Sequence, residues 1–159
     1  MNYYGIVGSV LLACSGVLAA AELNRRAAER QKQVDAWIGF LRYVEGQVKY
    51  FSMPMAEILA HCDRELLCAC GYSGKTSPSS FEEMLSASSL RDRETRVAIE
   101  GFAREFGRSY REEQVARCEG QIEALCRHRD VLAAGLSDVK KRNAALCISG
   151  ALALALLLW

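Results

Sequence analysis

His61, Cys62, Cys68, Cys70 and His128 are the side chains of this chain that could ligate a soft or borderline metal. Their spacing argues against a site. Cys68 and Cys70 on a helix would point two thiols to nearly opposite sides, and neither a Cys-x-x-Cys pair nor a paired-histidine spacing occurs. Gly71-Tyr72-Ser73-Gly74-Lys75-Thr76 ends in Gly-Lys-Thr, as a phosphate-binding loop does. It lacks the first glycine at the required distance and follows a helical rather than a strand pattern. No nucleophile has a base and an orienting partner in its sequence context. The expectation is therefore a non-enzymatic protein with no catalytic residue, no metal and no cofactor. The alternative is a membrane-tethered helical redox or metal sensor, which would give the clustered Cys62, Cys68 and Cys70 a purpose.

The sharpest local signal is Phe106-Gly107-Arg108-Ser109-Tyr110-Arg111-Glu112-Glu113-Gln114. Gly107 can take the left-handed conformation that closes a preceding helix. Ser109 with Glu112 makes a capping box that would open the next, and Glu112 and Glu113 suit its positive first turn. These structural roles leave Arg108, Arg111 and Gln114 without a task. Gly107, Arg108, Ser109, Arg111, Glu112 and Gln114 are accordingly the candidate partner-binding residues.

The elements that must position this turn are set by the hydropathy of the chain. Tyr3 to Ala21 carries no charge, and Ala144 to Trp159 is apolar to the last residue, with a polar stretch between them. A net charge of +1 averages over these unlike parts. The reading is an N-terminal transmembrane helix over 1–21, a cytoplasmic helical bundle over 22–143 and a C-terminal transmembrane helix over 144–159. The first segment suits a hydrocarbon core of about 30 Å. The second is shorter and spans if the bilayer thins and Trp159 sits among the headgroups.

Arg25, Arg26, Arg30 and Lys32 follow the first segment and Lys140, Lys141 and Arg142 precede the second, which puts the middle domain in the cytoplasm and both ends outside. Ala19, Ala20 and Ala21 would suit a signal-peptide cleavage site, but such a peptide carries its positive charge before the apolar run, and here it comes after. Small residues at four-residue spacing, Gly5, Ser9 and Ala13 in one segment and Ala145, Ser149 and Ala153 in the other, would let the two helices approach closely. The odd count of seven cysteines, among them Cys14, Cys118, Cys126 and Cys147, fits reduced thiols better than a disulfide framework.

Between the anchors, Leu23, Ala27, Val34, Trp37, Leu41, Val44, Val48 and Phe51 form a heptad seam with Arg30 in its gap. Val115, Cys118, Ile122, Leu125, Leu132, Leu136 and Val139 form a second, interrupted by Arg129. One helix leaves the membrane and the other returns, so the pair should be antiparallel, with both arginines lifting their guanidinium groups to the seam's edge. Shorter helices should fill the interval. One starts at Ser52-Met53-Pro54 and runs through Ile58, Leu59, Leu66 and Leu67. The next opens at a capping box, Ser79 with Glu82 or Ser80 with Glu83, and carries Phe81, Met84 and Leu85. The last, from about Arg91 to Phe106, should bury Val97, Ile99, Phe102 and Phe106. No strand pattern occurs, and the expected fold class is all-α: a membrane-anchored antiparallel helical bundle with a transmembrane helix at each end.

With its Gly107-Arg108-Ser109, Arg111-Glu112 and Gln114 turn, the long helix after it, the Pro54 helix start, the Leu90 to Phe106 helix and two terminal anchors, the chain resembles the stage III sporulation protein AB family of endospore-forming bacteria. Tyr110 stands where that family usually has Asp. The resemblance implies a domain similar to the cytoplasmic domains of the inner-membrane platform protein of type II secretion and type IV pilus machines. It further implies an adaptor or structural role in the channel between mother cell and forespore. The implied partners are a secretion-type ATPase and other membrane components of that channel, with the soluble domain in the mother-cell cytoplasm at the membrane surrounding the forespore. Self-association is left open. Nucleic acid is not an expected partner, because acidic and basic residues interleave throughout.

Overall fold

The computed structural model describes the backbone of residues 3–157, and their side chains except at 3–13, 16, 140, 144, 147, 148 and 151–157. Six helices account for most of it: α1 (Tyr3–Phe51), α2 (Met55–His61), α3 (Arg64–Ala69), α4 (Phe81–Ser86), α5 (Arg93–Glu105) and α6 (Arg111–Leu157). Among the described residues the only extended pairing is an isolated antiparallel bridge between Tyr72 and Ser88. The chain is all-α. It divides into two compact units, residues 30–130 and residues 1–29 with 131–159.

In the 30–130 unit, α1 supplies the centre of the core. Val34, Trp37, Leu41, Val44 and Val48 of the seam are buried, as the heptad spacing predicts. Ile38 and Phe40 are buried too, which a single seam does not predict. The reason is that α1 has neighbours on more than one side. Trp37 meets Phe40 at 5.5 Å and Phe81 of α4 at 6.3 Å, and Phe81 meets Phe102 of α5 at 6.1 Å. Each fully buried aromatic or aliphatic side chain here contributes about 1.5–3 kcal/mol by leaving water. The far seam residue Phe51 is exposed, lying past the last neighbour.

α6 packs antiparallel to α1 within this unit: Arg129 pairs with Asp35 at 3.6 Å, while Glu45, one helical stretch later, acts electrostatically on the earlier Cys118. Its seam is less buried than predicted, with Cys118 and Leu125 covered and Val115 and Ile122 only half-buried. Arg129 holds its guanidinium at the edge, also bonding Asp130 at 2.8 Å. Arg30 is exposed.

The single helix expected over Ile58 to Leu67 is two. Asp63 accepts the Glu65 amide at 3.0 Å and so caps α3, and that local bond stops α2 at His61. Pro54 occupies the N-cap position of α2 rather than its first turn. At α4 the Ser80–Glu83 alternative is the one made, with Ser79 as a further donor, and Glu82 takes no part. Ser80 accepts the Glu83 amide at 3.1 Å, while the Glu83 carboxylate accepts from the Ser79 amide at 2.7 Å. α5 starts at Arg93, two residues later than predicted, because Asp92 is its cap and accepts from the Thr95 amide at 2.8 Å. Its buried face is Thr95, Ile99 and Phe102; Val97, expected inside, is 61% exposed because it lies on the opposite face.

Two further contacts lock the unit. Gly71 adopts φ +98°, and a Cβ there would come within 2.5 Å of the Gln33 amide nitrogen and 2.9 Å of the Ser89 carbonyl. The Cys70 carbonyl before it accepts from Trp37 Nε1 at 3.1 Å and from Gln33 Nε2 at 3.2 Å. Gln33 also donates to Ser89 O at 2.8 Å and accepts from the Arg91 amide at 3.1 Å. One glutamine therefore ties α1 to both ends of the α3–α5 region.

In the other unit, Glu22 accepts from Arg25 and Arg26, each at 2.9 Å, and Asn143 of α6 donates to Asn24 of α1 at 3.2 Å. Leu23, expected in the seam, is exposed here, as are Val17, Leu18 and Leu146. Leu132, Leu136 and Val139 are half-buried. Among the described residues no helix is long and apolar enough to cross a membrane. Most side chains of the two apolar terminal segments lie outside the described residues, and so do Gly5, Ser9, Ala13, Ala153, Cys147 and Trp159.

Candidate functional site

The turn from α5 to α6 is built by two helix ends that stop for different reasons. Phe106, with an extended backbone (φ −64°, ψ 138°), ends α5, and its amide still donates to Phe102 O at 2.9 Å. Gly107 follows at φ +83°, the left-handed cap expected of it. Nothing lies within 4 Å of where its Cβ would be, so here glycine answers only the backbone's need.

The expected capping box is not made. α6 begins at Arg111, with the Gln114 amide donating to Tyr110 O at 3.0 Å, so Tyr110 rather than Ser109 stands at the N-cap. Among the described residues no partner bonds the Ser109 hydroxyl. Gln114 has a structural task after all: its side-chain amide donates to Ser109 O at 2.7 Å and fixes the turn. Glu112 and Glu113 do lie in the first turn of α6. Arg117 then links the two helices, pairing with Glu105 of α5 and, at 3.0 Å, with Glu113. The Glu113 hydrogen bond, more than Glu105, holds its guanidinium above its ordinary pKa.

Two of the candidate residues face outward with little structural duty. Arg111 makes one loose pair with Glu112 at 3.6 Å. Arg108 is exposed and has no ion pair or hydrogen bond among the described residues. Beside it Tyr110 is 86% exposed. Arg108 also lines a cleft of about 620 Å³ between α4 and α5, together with Arg104 and Arg96. Sequence reasoning passed over Arg104, whose position in an ordinary amphipathic helix carries no signal.

The other candidates scatter. His61 is exposed, its Nδ1 2.9 Å from Glu57 O, and Cys68 is exposed, whereas Cys62 and Cys70 are buried. Among the described residues no group of three or more His, Cys, Asp or Glu could hold a metal. Burial pushes the Cys62 thiol up to about 11 and Cys118 up to about 12, and raises Cys70 as well. A thiol held protonated is a poor nucleophile and ligand. The Gly74-Lys75-Thr76 segment is no phosphate cradle either. The next helix begins only at Phe81, so no helix N-terminus follows the loop to present its amides to a phosphate, and the loop is instead held by Arg64, which donates to Lys75 O at 2.6 Å, and by the Tyr72 hydroxyl, which donates to Thr76 O at 2.9 Å. Gly74 is required because a Cβ there would overlap the Tyr72 ring.

His128 sits instead at a junction. Its Nε2 is 2.9 Å from Asp92 and its Nδ1 3.3 Å from Glu94, joining α6 to the start of α5. Burial opposes ionisation of Asp92, but the Thr95 amide and hydroxyl together with His128 outweigh it and hold that carboxyl below its ordinary pKa. The two carboxylates approach opposite ring nitrogens, which suits a hydrogen-bonded junction and cannot form one coordination sphere.

A family model described as stage III sporulation protein AB matches residues 5–159. No curated protein and no solved structure matches the chain.

Proposed function

The chain belongs to the stage III sporulation protein AB family, with a role in sporulation, and from that premise we propose that it is a membrane-anchored, non-enzymatic adaptor. It docks a secretion-type ATPase onto the channel between mother cell and forespore. Residues 1–21 and 144–159 are the anchors, and the intervening bundle lies in the mother-cell cytoplasm. Their apolar sequence supports this, as do the outward-facing Val17, Leu18 and Leu146, since exposed large apolar side chains in number mark a surface that meets lipid or protein.

The observation that carries the docking reading is Arg108. The α5–α6 turn is held by Gly107, by the Gln114 bond and by Arg117, and none of these uses the Arg108 side chain. An exposed arginine on a hydrogen-bonded turn, two residues before an exposed tyrosine, supplies the two residue types in which interface hot spots are enriched. Gly107, Ser109, Glu112 and Gln114 shape the turn, and Arg108 and Arg111 meet the partner.

The test is Arg108→Glu in the full-length protein, with ATPase recovery measured when the membrane protein is purified from sporulating cells. The melting curve should be unchanged and ATPase recovery should fall at least tenfold, as expected when a charge-assisted contact is reversed in sign. Undiminished recovery would make the turn a helix junction only.

A further inference from the structure

The cleft that Arg108 lines has a composition that the turn alone does not explain. It is lined by Leu85 of α4, Ala103 of α5 and Phe106, which is half-buried against Phe102 at 5.1 Å. Three arginines, Arg96, Arg104 and Arg108, stand around this apolar lining with two carboxylates, Glu82 and Glu100. Glu100 is committed to Arg96 at 4.0 Å. Arg104 and Arg108 are exposed, and among the described residues neither has an ion pair or hydrogen bond. With Glu82 the one lining carboxylate that has no ion pair among the described residues, the cleft of about 620 Å³ carries one excess positive charge beside its apolar side chains and is large enough for a few residues of peptide.

We propose that the α4–α5 cleft takes a short acidic segment of the docking partner, its carboxylates held by Arg104 and Arg108 and an adjoining apolar side chain seated against Leu85, Ala103 and Phe106. This rests on the docking reading above and moves the centre of the site from the turn into the cleft. Guanidinium groups suit the task because their planar donors take a carboxylate in two parallel hydrogen bonds. The apolar floor supplies what charge alone does not, a desolvated anchor that slows dissociation. A basic segment would add to the cleft's excess positive charge instead of offsetting it.

The experiment places a photoreactive residue in the full-length protein in sporulating cells, as Leu85→p-benzoylphenylalanine in the cleft or Tyr110→p-benzoylphenylalanine on the turn. The crosslinked peptides are then sequenced. Both positions should capture the same partner, and the Leu85 position should capture a segment with Asp or Glu beside an apolar residue. Combining Arg104→Glu with Arg108→Glu should cut the Leu85 yield at least tenfold, and reversing the captured carboxylates to Arg should restore it. Arg104→Lys with Arg108→Lys keeps the charge but loses the paired donors, and should lower the yield by less than the double Glu variant does, which separates loss of recognition from loss of fold. The proposal is overturned by a captured segment without carboxylates, or by a Leu85 yield indifferent to both arginines. Capture at Tyr110 but never at Leu85 would remove the cleft and leave the docking turn standing. Capture at neither would remove both.

Discussion

Gly71 and Gly107 share a left-handed backbone, φ +98° and +83°, and each follows the end of a helix, yet their surroundings are opposite. Gly71 is sealed: a Cβ would strike Gln33 and the Ser89 carbonyl, and the carbonyl just before it takes hydrogen bonds from Trp37 and Gln33. Gly107 has open space around it and is followed by the exposed Arg108. The same conformational device thus serves two purposes. In one place it lets the chain turn inside the core. In the other it turns the chain at the surface and leaves its side chains uncommitted, and a surface that the fold does not consume is one a partner can use.

The largest test of this contrast is Trp37→Ala. It removes a fully buried ring from the aromatic cluster and half of the hydrogen bonding to the Cys70 carbonyl. The expected cost is about 3–5 kcal/mol, a fall of about 6–20 °C in the melting temperature of the purified chain. A shift of only a degree or two would show that the Gly71 side is not the sealed one.

Gly71→Ala and Gly107→Ala sharpen the comparison directly. Both place a Cβ on a left-handed backbone, which costs about 1–2 kcal/mol. Only at Gly71 does overlap with the Ser89 carbonyl add to it, so its melting temperature should fall further than that of the Gly107 variant. Equal losses, read by thermal denaturation of the two variants side by side, would mean that the core around Gly71 gives way freely.

The smallest expected effects concern two serines. Ser80→Ala removes a cap bonded to Glu83 and should cost about 1 kcal/mol. Ser109→Ala removes a hydroxyl that caps nothing and should lie within about 0.5 kcal/mol of the parent. Comparable losses in urea denaturation would restore the capping box and return the whole turn to a structural role.

Much of the fold was legible because helix signals are local. The seam positions Trp37, Leu41 and Val44, the Gly107 stop and a serine cap at the start of α4 follow from spacing and side-chain chemistry over a few residues, although which of Ser79 and Ser80 caps does not, and the all-α class follows from them. The break at Asp63 was misread because its short acidic side chain competes with helix continuation only when the backbone is already turning. The Ser109 box was misread for a related reason. Ser-x-x-Glu is permissive, and the register of α6 was decided two residues later, with Gln114 bonding back to the Ser109 carbonyl.

By itself the sequence determined that the chain is helical, where the apolar ends lie and where the Gly107 turn falls. Only the tertiary structure decided that α1 is buried on more than one side, that Gln33 and Trp37 close over the Cys70 carbonyl, and that Arg104 and Arg108 flank one cleft. Those facts join residues dozens of positions apart or on separate elements, and hydrophobic periodicity along a single helix contains no information about which other helix will cover it.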